Sequence, residues 1–237
     1  MQADLCIIVA AAGLGARFGG KLPKQYMKLG EHTVIEHTLM ALRRAFPTVT
    51  LIVTLHPEDR WFHLLDLKDE KICPIVGGLN RSDSVWNGLE YLKAKDKPPA
   101  WVMVHDAARP CILVSDLHKL VKGCFHKPPG GVLAIPSTDT LKQVQHDNVI
   151  TKTINRNTVW RALTPQMFEF KKLHVAYERA RASKIEITDE SSAMEFAGYT
   201  PHIIEGNPMN IKITYPHDLF IAEHYLALFQ HKETQSA

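Results

Sequence analysis

Cysteine is scarce in this chain. There are four in 237 residues, and Cys6, Cys73, Cys111 and Cys124 form neither a C-x-x-C pair nor a His/Cys cluster with metal-ligand spacing. That pattern argues against a disulfide scaffold and a structural zinc, and it predicts free thiols in a reducing, cytoplasmic compartment. An excess of either charge is equally wanting: a formal net charge of +3, with the basic residues scattered, is too small for a nucleic-acid footprint. Long apolar runs are missing as well. The run Leu5-Cys-Ile-Ile-Val9 lacks a basic flank and stops at Gly13, so neither a signal peptide nor a membrane span is expected. Repeats and low-complexity segments are absent, and only the last few polar residues read as disordered. The remainder has the composition of a soluble globule, 45% hydrophobic and 22% charged. Its length suits one large α/β domain or two small ones.

Two familiar phosphate motifs also fail. Gly15 to Lys21 fits G-x-x-x-x-G-K, but Leu22 follows where a Ser or Thr hydroxyl would hold magnesium, and Pro23 interrupts the helix that should come next. The dinucleotide pattern fails because Phe18 stands where the third glycine allows close helix–strand packing. What is there is the stretch Ala10 to Lys24, AAAGLGARFGGKLPK, directly after a strand-like run. Gly13 and Gly15 free backbone N–H groups to turn inward, and Arg17, Lys21 and Lys24 can neutralise phosphate oxygens. The alternative is an ordinary strand-to-helix turn with solvated basic residues.

Beyond the loop, strand and helix signals alternate, which predicts an α/β fold: a mostly parallel sheet flanked by helices. Thr33-x-x-Glu36 is a capping box, followed by Ile35, Leu39, Leu42 and Phe46 at helical spacing. Strands are predicted at 49–55, 72–76, 101–104, 132–135 and 211–213. Helices are predicted after a cap at Ser82 or Asp83, after a cap at Ser115, over 170–182, from Asp189 and Glu190 to Gly198, and from Pro216 to Leu228. Residues 137–160 break the pattern. Thr and Val alternate with polar residues, and Gln145-His-Asp-Asn148 reads as a hairpin tip. Such a ribbon has little core of its own, so it either reaches a second subunit or folds back on its own domain.

In open α/β sheets, ligands sit at the carboxyl ends of the strands. The Gly13–Lys24 loop, Gly77-Gly78 and His105-Asp106 all fall there. Asp106 is placed to help hold magnesium against nucleotide phosphates, or to cap a helix or pair with Arg109. Lys212 points away from Ile211 and Ile213, toward a polar site or the solvent. Cys111 and the histidines lack a triad-like setting, which disfavours covalent catalysis.

These motifs occur in one order with Gly77-Gly78-x-x-Arg81-x-Asp83-Ser84-Val85, His105-Asp-Ala-Ala-Arg-Pro110, Asp139-Thr140, Leu163-Thr-Pro-Gln166, Thr188-Asp-Glu190 and Asn210-Ile-Lys212. The series resembles the 2-C-methyl-D-erythritol 4-phosphate cytidylyltransferases of the isoprenoid precursor pathway, over nearly the whole chain. The resemblance implies a Rossmann-like, nucleotide-sugar-transferase type of fold, one domain over 1–237 with a projecting β-arm over 137–160, a homodimer joined by that arm, and Mg2+. The reaction implied joins CTP to methylerythritol phosphate and releases pyrophosphate. Catalytic roles carry over to Arg17, Lys24 and Lys212. Nucleotide contacts carry over to Ala11, Ala12, Gly13, Gly15, Gly78, Ser84 and Ala107, with Gly78 and Ser84 reading the cytosine. Substrate contacts carry over to Asp106, Arg109, Thr140, Arg156, Thr164 and Thr188, with Thr140 and Arg156 serving the partner's site and Asp106 also beside the metal. The chain departs from the pattern at Ala10, where Pro is frequent, at Ala16, where a second Arg can occur, and at Leu79, where an acidic residue often follows the glycines. A cytidylyltransferase for another polyol phosphate, such as ribitol 5-phosphate, and a non-catalytic nucleotide-binding module are the rival readings.

Overall fold

The computed structural model describes residues 4–13, 18 and 22–235, with 230–235 as backbone alone. In chain order the elements are β1 (Leu5–Ala10), β2 (Lys28–Leu29), β3 (His32–Thr33), α1 (Val34–Ala45), β4 (Thr50–Leu55), β5 (Ile72–Val76), α2 (Arg81–Lys93), β6 (Trp101–Asp106) and α3 (Val114–His126). They continue with β7 (Gly130–Pro136), β8 (Leu141–Val144), β9 (Ile150–Ile154), β10 (Trp160–Glu169), α4 (Phe170–Ala182), α5 (Glu190–Phe196), β11 (His202–Glu205) and α6 (Asp218–Gln235). The main sheet has seven strands in the order β11-β7-β10-β6-β1-β4-β5. Only β10 runs against its neighbours.

Period-two alternation sorts the aliphatic side chains of β1 onto two cores. Leu5, Ile7 and Val9 face α1 and α3, together with Leu51, Val53 and Met103. Cys6 and Ile8 face α2, α4 and α5, together with Ile52, Val102 and Phe168. Ile7, Ile8 and Val9 are fully buried, and each such side chain contributes about 1.5–3 kcal/mol relative to exposure. Burial on both faces explains why β1 reads as an unbroken apolar run. A third, smaller cluster holds Phe18, Cys111, Ile213 and Ala222. Phe18 therefore packs as a core residue, in keeping with its misfit to the dinucleotide pattern.

The Thr33–Glu36 capping box closes as predicted, with Thr33 N–H donating to Glu36 Oε2 at 2.6 Å and Glu36 N–H to Thr33 Oγ1 at 3.4 Å. Other boundaries differ from the sequence reading. Asn80, not Ser82 or Asp83, caps α2: its extended backbone lets Oδ1 accept from Asp83 N–H at 2.8 Å. Ser115 lies inside α3, whose cap position is Leu113, without a side-chain hydrogen bond. Residues 211–213 form no strand. The edge place goes to β11 beside β7, and Ile213 N–H makes a single bond to Ala108 O at 2.8 Å. β10 runs past Trp160 through Glu169 and inserts between β6 and β7, a strand the sequence reading missed.

β8 and β9 form a separate two-stranded ribbon. Its tip falls where the sequence placed it, with Asp147 at φ 66° and Asn148 at φ 60°, left-handed conformations that Asp and Asn tolerate.

Candidate active site

The register of the central strands assembles the site. Ala10, the last residue of β1, stands beside Asp106, the last residue of β6. Ala107 N–H continues the ladder to Ala10 O at 3.0 Å, and Ala11 N–H reaches Thr54 O at 3.0 Å. Two adjoining cavities open at these strand ends. One is lined by Ala10, Ala11, Ala12, Gly13, Lys24, Asp106, Ala107 and Lys212, among others. The second is lined by Arg109, Thr164, Gln166 and Thr188, among others. Arg81, Asp106 and Lys212 line both, so one charged cluster stands where the two meet.

Asp106 is the centre of that cluster. Arg81 Nε donates to its Oδ1 at 2.7 Å, Lys212 Nζ lies 2.7 Å from its Oδ2, and Arg109 Nε lies 3.7 Å from the same oxygen. Burial on its own would raise this carboxyl, but Arg81, Lys212 and Arg109 hold it well below the usual carboxylate range. It is a fixed anion at neutral pH. Arg81 is drawn the opposite way: burial disfavours its charge, but Asp106 and Glu190 raise it well above its ordinary value. Burial lowers Arg109, with Asp106 opposing.

The cations come from distant parts of the chain. Pro23 leads into a single turn of 3-10 helix, Lys24–Tyr26. There Gln25 Nε2 donates to Ala11 O at 2.7 Å and Lys24 Nζ donates to Ile213 O at 2.6 Å. Lys24 is thus tied to the residue after Lys212. Lys212 faces the site even though its segment is irregular, since Ile213 is anchored in the third core cluster. Arg109 donates through Nη1 to Asn210 O at 2.8 Å.

The structure brings together Ala11, Ala12, Gly13, Lys24, Asp106, Ala107, Arg109, Thr164, Thr188 and Lys212. Gly15, Arg17 and Lys21 lie outside the described residues. Gly78 and Ser84 line neither cavity. Ser84 is fully buried. Its hydroxyl accepts from Gly78 N–H at 3.0 Å and donates to Asn80 O at 2.7 Å, fastening the glycine turn to α2. Gly78 itself is a packing glycine, because an added Cβ would stand 2.3 Å from Asp83 Cβ. Thr140 and Arg156 are exposed near the base of the ribbon, with Arg156 Nη1 donating to Thr138 O at 2.8 Å. Sequence reasoning gave no role to Arg81 and gave Glu190 only a place in the first turn of α5. Both stand inside quoted motifs, but a buried ion pair across the fold leaves no local spacing to read.

Among the described residues, no group of three or more His, Cys, Asp or Glu side chains could by itself hold a metal. Asp106 is nevertheless an ionised carboxylate at the cavity wall. Mg2+ characteristically takes one or two carboxylates plus substrate phosphates and water, so the donor set fits an ion shared with a bound nucleotide. All four cysteines are free, and burial pushes the thiols of Cys6, Cys111 and Cys124 up to about 12. No helix among the described residues is long and apolar enough to cross a membrane.

Residues 5–228 match the family model IspD, 2-C-methyl-D-erythritol 4-phosphate cytidylyltransferase. The chain is 44% identical to the 2-C-methyl-D-erythritol 4-phosphate cytidylyltransferase of Aliivibrio fischeri strain MJ11, over 98% of this chain and 97% of that one. It is 41% identical to the enzyme of the same name from Hahella chejuensis, over 97% and 95%. The solved 2-C-methyl-D-erythritol 4-phosphate cytidylyltransferase of Francisella tularensis superposes with a TM-score of 0.80 at 32% identity, covering 94% of this chain and all of that one. A family match over residues 5–228, with relatives 41–44% identical over nearly the full length, places this chain in the 2-C-methyl-D-erythritol 4-phosphate cytidylyltransferase family.

Proposed function

We infer that the chain transfers CMP from CTP to 2-C-methyl-D-erythritol 4-phosphate, releasing pyrophosphate. The observation that carries this reading is the convergence of Lys24, Lys212 and Arg109 with an ionised Asp106 at the carboxyl ends of β1 and β6. A phosphate oxygen of the substrate attacks the α-phosphorus of CTP. The new P–O bond forms as the bond to the β-phosphate breaks, and its electrons leave with pyrophosphate. The incoming phosphate is already a nucleophile, so a side-chain nucleophile is unnecessary. What the reaction needs is positive charge aimed at the α-phosphate and leaving oxygens, supplied by groups already in place.

Lys24 and Lys212 supply that charge, with Arg17 assigned beside Lys24. The backbone of Ala11, Ala12, Gly13 and Gly15 cradles the triphosphate. Gly78, Ser84 and Ala107 stand on the nucleoside side, where the turn fixed by Ser84 presents backbone rather than its own hydroxyl. Arg109, Thr164 and Thr188 receive the methylerythritol phosphate. Arg109 Nε is buried and faces Asp106 Oδ2 at 3.7 Å, which keeps the guanidinium beside that carboxylate at the pocket wall. A divalent ion, Mg2+, shared between Asp106 and the phosphates would neutralise charge on them during transfer.

The ribbon supports a homodimer. Val144, Val149 and Ile150 are more than half exposed, and a second copy would cover them. Thr140 and Arg156 are then proposed to complete the partner's site.

Pyrophosphate release measured across the four nucleoside triphosphates, with methylerythritol phosphate or ribitol 5-phosphate as acceptor, tests the reading. CTP with methylerythritol phosphate is expected to be the one efficient pair, since a site built around one base edge leaves polar groups unpaired with another. Comparable turnover with a purine triphosphate, or preference for ribitol phosphate, overturns it.

A further inference from the structure

Lys24 stands on a short support. Lys24–Tyr26 is a single 3-10 turn, and its cap position, Pro23, gives it no side-chain hydrogen bond. Its backbone bonds are local: Tyr26 N–H to Pro23 O at 2.9 Å and Met27 N–H to Lys24 O at 3.2 Å. One such turn is too short to be stable by itself, so ties to the rest of the fold must hold it in place.

Two side chains supply them. The Tyr26 hydroxyl donates to Asp59 Oδ2 at 2.6 Å and fastens the turn to the connection after β4. Gln25, only 3% exposed, fastens it on the side of the site, where Nε2 donates to Ala11 O at 2.7 Å. Ala11 is the first residue past β1 and is itself held to β4, its N–H reaching Thr54 O at 3.0 Å. Gln25 and Ala11 line the same cavity as Lys24 and Lys212. One buried amide thus joins the turn that carries Lys24 to the backbone where the glycine loop begins.

The Lys24 ammonium donates to Ile213 O at 2.6 Å, and a phosphate oxygen would compete with that carbonyl for it. A flexible stem then delivers the charge only within reach of its Cα, and that Cα is adjacent to Gln25. A misplacement of about 1 Å can cost on the order of 10²-fold in rate.

We propose that Gln25 is a positioning residue: its amide pins the Lys24 turn to the end of β1, and so sets where the ammonium meets the phosphates of a nucleotide cradled on Ala11 to Gly13. This rests on the cytidylyl-transfer reading above, in which Lys24 works on those phosphates. A plain structural tie would set the melting temperature and leave turnover alone. An amide that bound phosphate in its own right would act independently of Lys24.

Steady-state kinetics with CTP, methylerythritol phosphate and Mg2+ on single and double variants separates these. Lys24→Ala provides the reference, and wild-type turnover there removes Lys24 from the transfer reading and takes this proposal with it. Gln25→Met keeps the length of the side chain and loses the donor. Checked by circular dichroism for a folded state, it is expected to lower kcat about tenfold while KM for CTP stays within about threefold. Added to Lys24→Ala, the same substitution should leave kcat within about threefold of Lys24→Ala alone, since a positioning residue then has nothing left to position. Two outcomes sink the role of Gln25 and spare the transfer reading: a Gln25→Met kcat within threefold of wild type, or a larger further loss on top of Lys24→Ala. Gln25→Ala, in which solvent can reach Ala11 O, takes the place of Gln25→Met should that variant not fold, and the same two outcomes decide it. If neither variant folds, the amide is a structural tie and the proposal fails.

Discussion

Thr164 Oγ1 lies 3.0 Å from His105 Nδ1 and accepts the Asp106 N–H at 3.1 Å. On the other side of the ring, His105 Nε2 faces Arg109 O at 3.3 Å. A carbonyl only accepts, so Nε2 carries the proton, Nδ1 accepts, and the Thr164 hydroxyl donates to it. Thr164 thereby fixes the backbone on which Asp106 sits. Thr164→Val keeps the shape but leaves two buried partners unmatched, and it is expected to cost about 1–3 kcal/mol in urea unfolding. Thr164→Ser should recover most of that. Equal stability of the Val and Ser variants would show that the hydroxyl is idle.

The same histidine predicts an acid limit on stability. Burial lowers His105 from 6.5 to about 4, with the Asp106 charge opposing. Between those values the unfolded chain binds a proton that the folded chain refuses, so stability falls as pH falls. The contribution is intact above pH 6.5 and lost by about pH 4. At roughly 1.4 kcal/mol per unit, the window is worth about 3 kcal/mol. Urea unfolding at pH 7.5, 5.5 and 4.5 should show the decline, and His105→Gln should flatten it. Asp106 adds a second loss only below its unfolded value of 3.8, because its folded value is lower still. An unchanged slope in His105→Gln would place the titration elsewhere.

The two lysines are expected to report on turnover rather than folding. Lys24→Ala and Lys212→Ala should each lower kcat by about 10²–10³, the usual cost of one preorganised transition-state donor. Neither side chain is buried, so thermal midpoints should stay within about 3 °C of wild type. Wild-type kcat in Lys24→Ala would transfer the role to Lys21 or reduce the loop to a binding element.

The sheet was legible where one strand is buried on both faces, as in Leu5–Val9, and where a cap is local, as in Thr33–Glu36. Segment 211–213 misled, because Ile-Lys-Ile alternates like a strand while both isoleucines pack in the third core cluster and the backbone makes a bond from Ile213 N–H to Ala108 O rather than a ladder. β10 escaped because its second half, Thr164 to Glu169, includes a proline and gains its pairing only from β6 and β7, which are distant in sequence. The site followed the same division. Asp106 and the glycine loop announce themselves at strand ends, whereas Glu190 acquires meaning only through Arg81, 109 residues away. Ser84 illustrates the converse: a motif residue whose hydroxyl the fold spends on its own glycine turn.

The last prediction tests the ribbon, and it rests on symmetry. If Arg156 serves the partner's site, each site of the proposed homodimer uses Lys24 from one chain and Arg156 from the other. Lys24→Ala and Arg156→Ala homodimers should then both be nearly inactive. In a mixed dimer one site carries both lesions and the other carries neither. Random exchange of equal amounts makes about half the dimers mixed, so about a quarter of all sites become wild type. Combining the two inactive proteins under conditions of subunit exchange should restore about that fraction of activity. Exchange is followed independently with two tags of different mass, by native mass spectrometry. If mixed dimers form and activity stays at the level of the parents, Arg156 serves its own chain, since every site would then keep one lesion.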